Sequence, residues 1–95
     1  MKVEIKPSTR KDKKFMAIFT DDDKKVKTTH FGSKGMSDYT INKDKDRKKL
    51  YLDRHRKNEN WNSYMTAGSL SRWILWNLPT IKTSIADYKK RFKLK

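Results

Sequence analysis

One short apolar stretch, Thr66 to Asn77, holds two of the three tryptophans and constrains the fold more than any other part of the chain. Its large side chains recur at three- and four-residue spacing on one helical face, and others fall on a second face. The first face carries Leu70, Trp73, Ile74 and Asn77, and the second carries Leu75 and Trp76. A helix that is apolar over most of its circumference is usually buried against two surfaces. We therefore predict a central core helix over about Ala67 to Asn77, capped by Thr66 and ended by Pro79.

The N-terminal third of the chain has the pattern of β-structure. Met1 to Ile5 alternates apolar and polar residues, and Pro7 after it is typical of an edge strand. Phe15 to Phe19 is apolar on both faces, which predicts a strand covered by a helix on one side and by a second subunit on the other. Val26 to Phe31 is expected to pair with it in antiparallel fashion across a turn over residues 20–25.

Two further helices follow from the sequence. The first is a basic helix over about Lys43 to Lys57, with Asn42 or Thr40 as its cap. The second begins at Thr80 or at Ser84 and has an apolar stripe at four-, three- and four-residue spacing. The stripe consists of Ile81, Ile85, Tyr88 and Phe92. The predicted fold is α+β, with a small three-stranded antiparallel sheet at the N-terminal side and about three helices, in a single domain of residues 1–95.

The composition predicts a thin core. Only 34 % of the residues are hydrophobic and 38 % are charged, in a chain of 95 residues. A chain of this size buries only about 60–65 % of its unfolded surface, so we expect a homodimer whose interface extends the core. There is no cysteine for a disulfide or a thiolate metal site. No apolar run approaches the roughly 18 residues of a membrane span, so we expect no membrane association.

The net charge of +14 is concentrated in three blocks, residues 1–14, 43–57 and 82–95. These blocks contain six, eight and six Lys or Arg against two, three and one Asp or Glu. The stretches between them are neutral and supply most of the predicted core. Such a pattern indicates a folded body with basic faces rather than a uniformly basic tail.

Basic helix faces are suited to nucleic acid, because phosphate neutralisation supplies most of the affinity that does not depend on sequence. The residues we expect to bind phosphates are Arg47, Lys48, Arg54, Arg56, Lys89, Lys90 and Arg91. No helix-turn-helix, zinc finger or RNA-recognition motif is present to read bases, so we expect binding without sequence preference. The alternative is a charged surface that only contacts solvent.

Two short segments suggest ion sites. The loop Gly32, Ser33, Lys34 and Gly35 could hold an anion with its backbone N–H groups, although the same composition is common in ordinary turns. Asp21, Asp22 and Asp23 could attract a metal ion, but three consecutive aspartates in a hairpin cannot all converge on one ion. We expect a turn at the aspartates, no bound metal and no cofactor.

A catalytic alternative is a nuclease that uses His30, Asp38, Tyr39, Arg54 and His55. With only two histidines, a three-histidine zinc site cannot form. No serine or cysteine lies in a nucleophile motif. We therefore predict that the protein is not an enzyme.

Several runs of the sequence together form a recognisable signature. They are His30 to Thr40, Arg54-His55, Asn60-Trp61, Thr66 to Asn77 and Ser84 to Phe92. The chain resembles, over about residues 28–92, a family of small, basic, functionally uncharacterised proteins of large double-stranded DNA viruses of protists and algae, the marseillevirus group among them. The resemblance implies a viral protein made in the infected cell, in its cytoplasm or nucleus, and packaged in the virion, where a basic surface would condense the genome.

The sequence thus leads to one main hypothesis and one alternative from another class. The main hypothesis is a non-enzymatic, sequence-independent nucleic-acid-binding protein, with DNA as its partner. The alternative is a virion structural or protein-interaction component, in which the tryptophan-rich segment would expose an apolar patch to a host or viral protein.

Overall fold

The computed structural model describes all 95 residues and begins with a three-stranded antiparallel sheet in the order β1-β2-β3. The strands are β1 (Lys2–Pro7), β2 (Lys13–Asp21) and β3 (Lys24–Ser33). Alternate residues of all three strands, including Val3, Phe19 and Phe31, are buried on one face of the sheet. The predicted α+β class with an N-terminal three-stranded sheet is confirmed.

The turn between β2 and β3 is shorter than predicted. Asp22 and Asp23 have φ angles of 50° and 64°, so the hairpin closes with only these two residues. Two positive φ angles in succession define the turn type whose twist matches that of antiparallel strands, and aspartate tolerates this conformation. The strands therefore extend to Asp21 and Lys24.

Four α-helices follow the sheet, where the sequence predicted about three helices. They are α1 (Tyr39–Asn42), α2 (Lys45–His55), α3 (Ala67–Leu70), which continues directly into a π-helical segment (Ser71–Leu75), and α4 (Ile81–Arg91). None of them is long and apolar enough to span a bilayer.

The predicted basic helix over Lys43 to Lys57 is found as α2 and is slightly shorter at both ends. The short helix α1 before it was not predicted, and the predicted caps, Thr40 and Asn42, are wrong. Asp38 caps α1 by accepting a hydrogen bond from the backbone N–H of Thr40. Lys43 then adopts a left-handed conformation with φ of 50°, which ends α1. Asp44 caps α2. Two aspartates with extended backbones therefore begin the two helices, as N-cap residues commonly do.

The tryptophan-rich segment forms the centre of the fold. Thr66 caps α3 as predicted, because its hydroxyl accepts the N–H of Ser69. The helix then widens into the π-helical segment and ends at Trp76, whose N–H donates to the carbonyl of Ser71. It packs against β3 on one side and α4 on the other, which confirms burial against two surfaces. The buried side chains of this segment are Ser69, Leu70, Ile74, Leu75 and Asn77.

The last helix closes the core from the other side. α4 begins after Thr80, which caps it, rather than at Ser84. Ser84 is instead buried, and its hydroxyl bonds to both backbone groups of Leu78. Tyr88 is completely buried in the core. Beyond α4, the backbone of Lys95 pairs with that of β1 and covers the outer edge of the sheet.

The second face of the sheet has no element packed on it. Met16 and Ile18 of β2 are half-buried there and lie outside the core cluster. His30 lies on the same face and hydrogen-bonds Ser8. That a second subunit covers this face stays a prediction.

Candidate nucleic-acid interface

A cleft of about 510 Å³ lies between the end of β3, α2 and the start of α3. Its lining is partly apolar, with Phe31, Leu75 and Trp76 contributed by the core elements. Its remaining walls are rich in cations. These are Lys13 and Lys14 from β2 and Arg47 and Arg54 from α2. Apolar surface and positive charge therefore share one concave site.

The sequence of α2 determines which side chains reach the cleft. Arg47, Leu50, Tyr51 and Arg54 follow one another at three- and four-residue spacing, so they lie on one helical face. Tyr51 is the only buried residue of this helix. The burial of Tyr51 fixes the rotation of α2 and directs both arginines to the same side.

Tyr51 is held in a stack of three rings. Its ring centre lies 4.4 Å from that of Trp76, with the planes 6° apart, and 4.2 Å from that of His55. Burial, assisted by the nearby Glu59 carboxylate, raises the pKa of the Tyr51 phenol well above its ordinary value. The stack therefore joins α2 to the end of the π-helical segment through a neutral ring.

The two acidic side chains of the cleft are both engaged within the protein. Asp38 accepts a hydrogen bond from the Lys14 ammonium at 2.6 Å. Glu59 accepts one from the Trp61 indole N–H at 2.9 Å and lies 3.3 Å from the His55 Nδ1. Because these carboxylates are satisfied, they do not pair with the other cations of the cleft.

Lys13, Arg47 and Arg54 are the cations of the cleft that form no ion pair. Arg47 and Arg54 are exposed, and Lys13 is half-exposed. Their charges face a shared concave space without a protein counter-ion. Such an arrangement attracts anions, because a cleft lined by one sign of charge concentrates the electric field.

A second cationic group surrounds Trp73. The Arg72 and Arg91 guanidinium carbons lie 4.1 Å and 3.8 Å from the centre of its ring. Burial and the neighbouring charge of Arg91 lower the pKa of Arg72, and Arg56 adds to the effect. The Nε atom of Arg72 is buried without a hydrogen-bond partner, while its Nη1 donates to the carbonyl of Trp76. The charges of Arg56, at the end of α2, and of Arg91, at the end of α4, therefore both act on Arg72.

The seven phosphate-binding candidates do not form one continuous group. Arg47 and Arg54 line the cleft, whereas Arg91 lies over Trp73 and the charge of Arg56 acts on the neighbouring Arg72. Lys89 precedes Arg91 by two residues, which places it about 200° around α4. Lys90 is exposed on the outer side of α4.

Lys48, also among the seven candidates, is engaged inside the protein. Its ammonium donates to the carbonyl of Asn77 at 2.7 Å and lies 4.9 Å from the centre of the Tyr39 ring. Burial, with Arg72 and Lys45 nearby, lowers the pKa of Lys48. This lysine secures α2 to the loop that precedes α4 and is poorly placed to meet a phosphate.

The glycine-containing loop lies at the edge of the cleft. Gly32 and Gly35 have φ angles of 80° and 89°. Gly32 and Ser33 line the cleft, but Lys34 is exposed and outside the lining. The N–H of Lys34 donates to the carbonyl of Asp12. This internal hydrogen bond favours the interpretation of the loop as a turn that closes the sheet.

The five residues of the nuclease alternative are only partly brought together. Asp38, Arg54 and His55 line the cleft. His30 lies on the far face of the sheet, and Tyr39 is buried beneath Lys48. Asp21, Asp22 and Asp23 stand at the hairpin tip, and nowhere do three His, Asp or Glu side chains come together as metal ligands.

The large apolar side chains that are exposed do not belong to the tryptophan-rich segment. Trp73 is covered by two guanidinium groups, and Trp76 stacks on Tyr51. The exposed ones are Val26, Met36, Ile41 and Leu50, of which Met36 and Leu50 line the cleft. The segment therefore offers no exposed tryptophan patch to a partner protein.

Sequence reasoning missed the contribution of Lys13 and of the ring stack. Lys13 belongs to the first basic block, and that block was the only sequence feature that could have suggested it as a binding residue. The stack joins residues 25 positions apart, Tyr51 and Trp76, and no local pattern indicates it.

No curated protein and no solved structure is significantly similar to this chain. A family model described as a family of unknown function (DUF5754) matches residues 3–55. The match runs from β1 through the end of α2, so it includes the sheet and the two cleft arginines, and it stops before the tryptophan-rich segment. Since more than half of its length is matched, the chain belongs to the DUF5754 family, whose function is unknown.

Proposed function

We propose that this chain is a non-enzymatic protein that binds nucleic acid, DNA above all, through phosphates and without sequence preference. One observation carries the proposal. Three cations without carboxylate partners, Lys13, Arg47 and Arg54, face one cleft whose own acidic groups are already satisfied. The phosphates of a polyanion would supply the counter-ions that these three cations lack within the protein.

The spacing of the two arginines suits a nucleic-acid strand. Arg47 and Arg54 are seven residues apart in α2, which separates them by about 10 Å along the helix axis. Successive phosphates of one strand rise by only about 3.4 Å along a duplex axis, so the two arginines are far enough apart to meet different phosphates. Guanidinium groups bind phosphate oxygens in bidentate fashion, with charge and geometry both favourable.

A viral origin fits the same proposal. The resemblance of residues 28–92 to small basic proteins of large double-stranded DNA viruses supports a genome as the polyanion. With a net charge of +14 in 95 residues, many copies could neutralise a long genome. We accordingly propose that the protein associates with viral DNA in the infected cell and in the virion.

The test compares two double variants of equal charge. Arg47→Ala/Arg54→Ala removes cleft cations. Lys25→Ala/Lys27→Ala removes exposed lysines near the hairpin tip, about 20 Å along β3 from the cleft. Binding to two unrelated DNA duplexes is measured over a series of salt concentrations. We expect the wild-type protein to bind both duplexes equally, with an affinity that falls steeply as salt rises.

The cleft variant should lower the slope of log affinity against log salt by about 2, because each lost phosphate contact removes about 0.9. The hairpin variant should leave the slope nearly unchanged. Equal losses in both variants would show that net charge alone binds DNA and that the cleft has no special role. Absence of binding at low salt would refute the whole proposal.

A further inference from the structure

We infer that the cleft accepts unpaired nucleobases, so that the preferred ligand is a single strand rather than a duplex. This inference rests on the proposed function and names the class of nucleic acid that the same site takes. It comes from the ring stack and the apolar side chains of the cleft, which phosphate binding does not require.

The ring stack ends at a partly open face. Tyr51 is covered on both sides, by Trp76 and by His55. His55 stacks on Tyr51, lines the cleft and keeps 40 % of its side chain exposed. Unpaired bases stack readily on exposed histidine and other aromatic rings. A base placed on His55 would continue the existing stack by one ring.

The apolar side chains at the cleft also fit a base. Met36 and Leu50 are 65 % and 62 % exposed, in a chain that has few large apolar residues to spare. A duplex presents phosphates and sugars along its outside and keeps the faces of its bases stacked within, so it offers these side chains little apolar surface. The cleft volume of about 510 Å³ lies in the usual range of ligand sites, about 300–1,000 Å³.

The cations are positioned to hold the backbone of such a strand. Arg54 directly precedes His55, and Arg47 lies two turns earlier on the same helix. Lys13 stands on β2 across the cleft from α2. A base on His55 would therefore have cations beside it for its own phosphate and its neighbours. Proteins that bind single strands combine a basic groove and stacking rings in this way.

Two variants of one residue separate stacking from structure. His55→Ala removes the ring, and His55→Phe keeps a flat ring, while both lose the contact with Glu59. The probes are labelled oligothymidylate, oligouridylate and a DNA duplex of the same length, at one fixed salt concentration. Circular dichroism confirms that both variants are folded, and fluorescence anisotropy gives the affinities.

We expect wild type to bind at least one of the two single strands more tightly than the duplex. His55→Ala should weaken that binding by roughly tenfold and leave the duplex unaffected, as expected for the loss of one stacked base. His55→Phe should remain close to wild type, and the two oligonucleotides tell DNA from RNA. A duplex bound as tightly as both strands, or equal losses in the two variants, would overturn the inference. If the duplex were bound as tightly as both strands and the affinity fell steeply with salt, the proposed function would remain intact. If no probe were bound, both the inference and the proposed function would be refuted.

Discussion

Asp38 shows how one side chain can connect distant parts of a small protein. Only 3 % of its side chain is exposed. It accepts a hydrogen bond from the Lys14 ammonium and also caps α1. Lys14 lies at the start of β2, so the pair fixes the loop after β3 against the sheet. It also leaves the cleft without a free carboxylate beside its cations.

Replacing Asp38 by alanine should be strongly destabilising. The substitution leaves a largely buried ammonium without its partner and removes a helix cap, which together cost about 3 kcal/mol or more. Urea denaturation measures the change in the free energy of unfolding. The matched control is Asp12→Ala, which breaks an exposed pair with Arg10 and should cost less than about 1 kcal/mol. Similar losses in the two variants would contradict this account of the pair.

The buried tyrosines predict how stability depends on pH. Burial raises the pKa of both Tyr51 and Tyr88 above the ordinary value of 10.0. The folded chain thus retains two protons that the unfolded chain releases above pH 10. The stability from this difference is complete below pH 10 and is lost as pH rises towards the folded pKa values.

We expect each of these tyrosines to lower the free energy of unfolding by up to about 1.4 kcal/mol per pH unit above pH 10. Urea denaturation at a series of alkaline pH values gives the slope, and phenolate absorbance reports the titration. Tyr88→Phe should reduce this slope by the part that Tyr88 contributes, since phenylalanine has no proton to release. A variant slope equal to that of wild type would contradict the role assigned to Tyr88.

At the scale of elements, the π-helical segment depends on a close approach to the end of β3. A Cβ atom on Gly32 would lie 2.8 Å from the Cδ1 of Leu75, at a φ of 80° that side chains disfavour. Gly35 has a similar φ of 89° but open space around it. An alanine at Gly32 would therefore meet both a steric clash and backbone strain, whereas an alanine at Gly35 would meet backbone strain alone.

Gly32→Ala should destabilise the protein by about 2–4 kcal/mol, through strain and the displacement of Leu75. Gly35→Ala should cost about 1 kcal/mol, from strain alone. Thermal unfolding of both variants measures the difference. If Gly35→Ala proved as costly as Gly32→Ala, the packing of the π-helical segment on β3 would not be the cause.

Most elements could be predicted from the sequence because their signals are local. The alternation in β1, the apolar run of β2 and the spacing in α4 each lie within a few residues. The short helix α1 was not predicted, because its cap Asp38 is held by Lys14, 24 positions away. The change to a π-helical turn in the central helix has no sequence pattern that we recognise.

The candidate site was predictable only in part, for the same reason. Arg47 and Arg54 belong to a helix whose basic character is local, so the sequence identified them. Lys48 was included on that basis too, yet its ammonium bonds Asn77, 29 positions later. Lys13 reaches the cleft only because the sheet brings β2 opposite α2. The basic residues can be read from the sequence, but tertiary contacts determine which of them have no partner within the protein.

At the scale of the whole molecule, positive charge gathers around α2. Arg47 and Arg54 line the cleft, and the charge of Arg56, at the end of the helix, acts on Arg72 beside Trp73. The helix is therefore basic, whereas residues 21–27 of the hairpin carry three aspartates and three lysines and have no net charge. We expect a polyanion to bind on the cleft side of this helix, where Lys13, Arg47 and Arg54 have no carboxylate partner.

The most direct measurement of this central claim is a two-dimensional ¹H–¹⁵N NMR titration of the protein with oligothymidylate or a DNA duplex at near-physiological salt. The account predicts that the amide signals of Ser33, Arg54, His55 and Gly68 shift in a saturable manner. The signals of Lys25 and Lys27 at the hairpin should stay in place. Shifts spread evenly over the molecule, or no shifts with either ligand, would contradict the claim that this cleft binds nucleic acid.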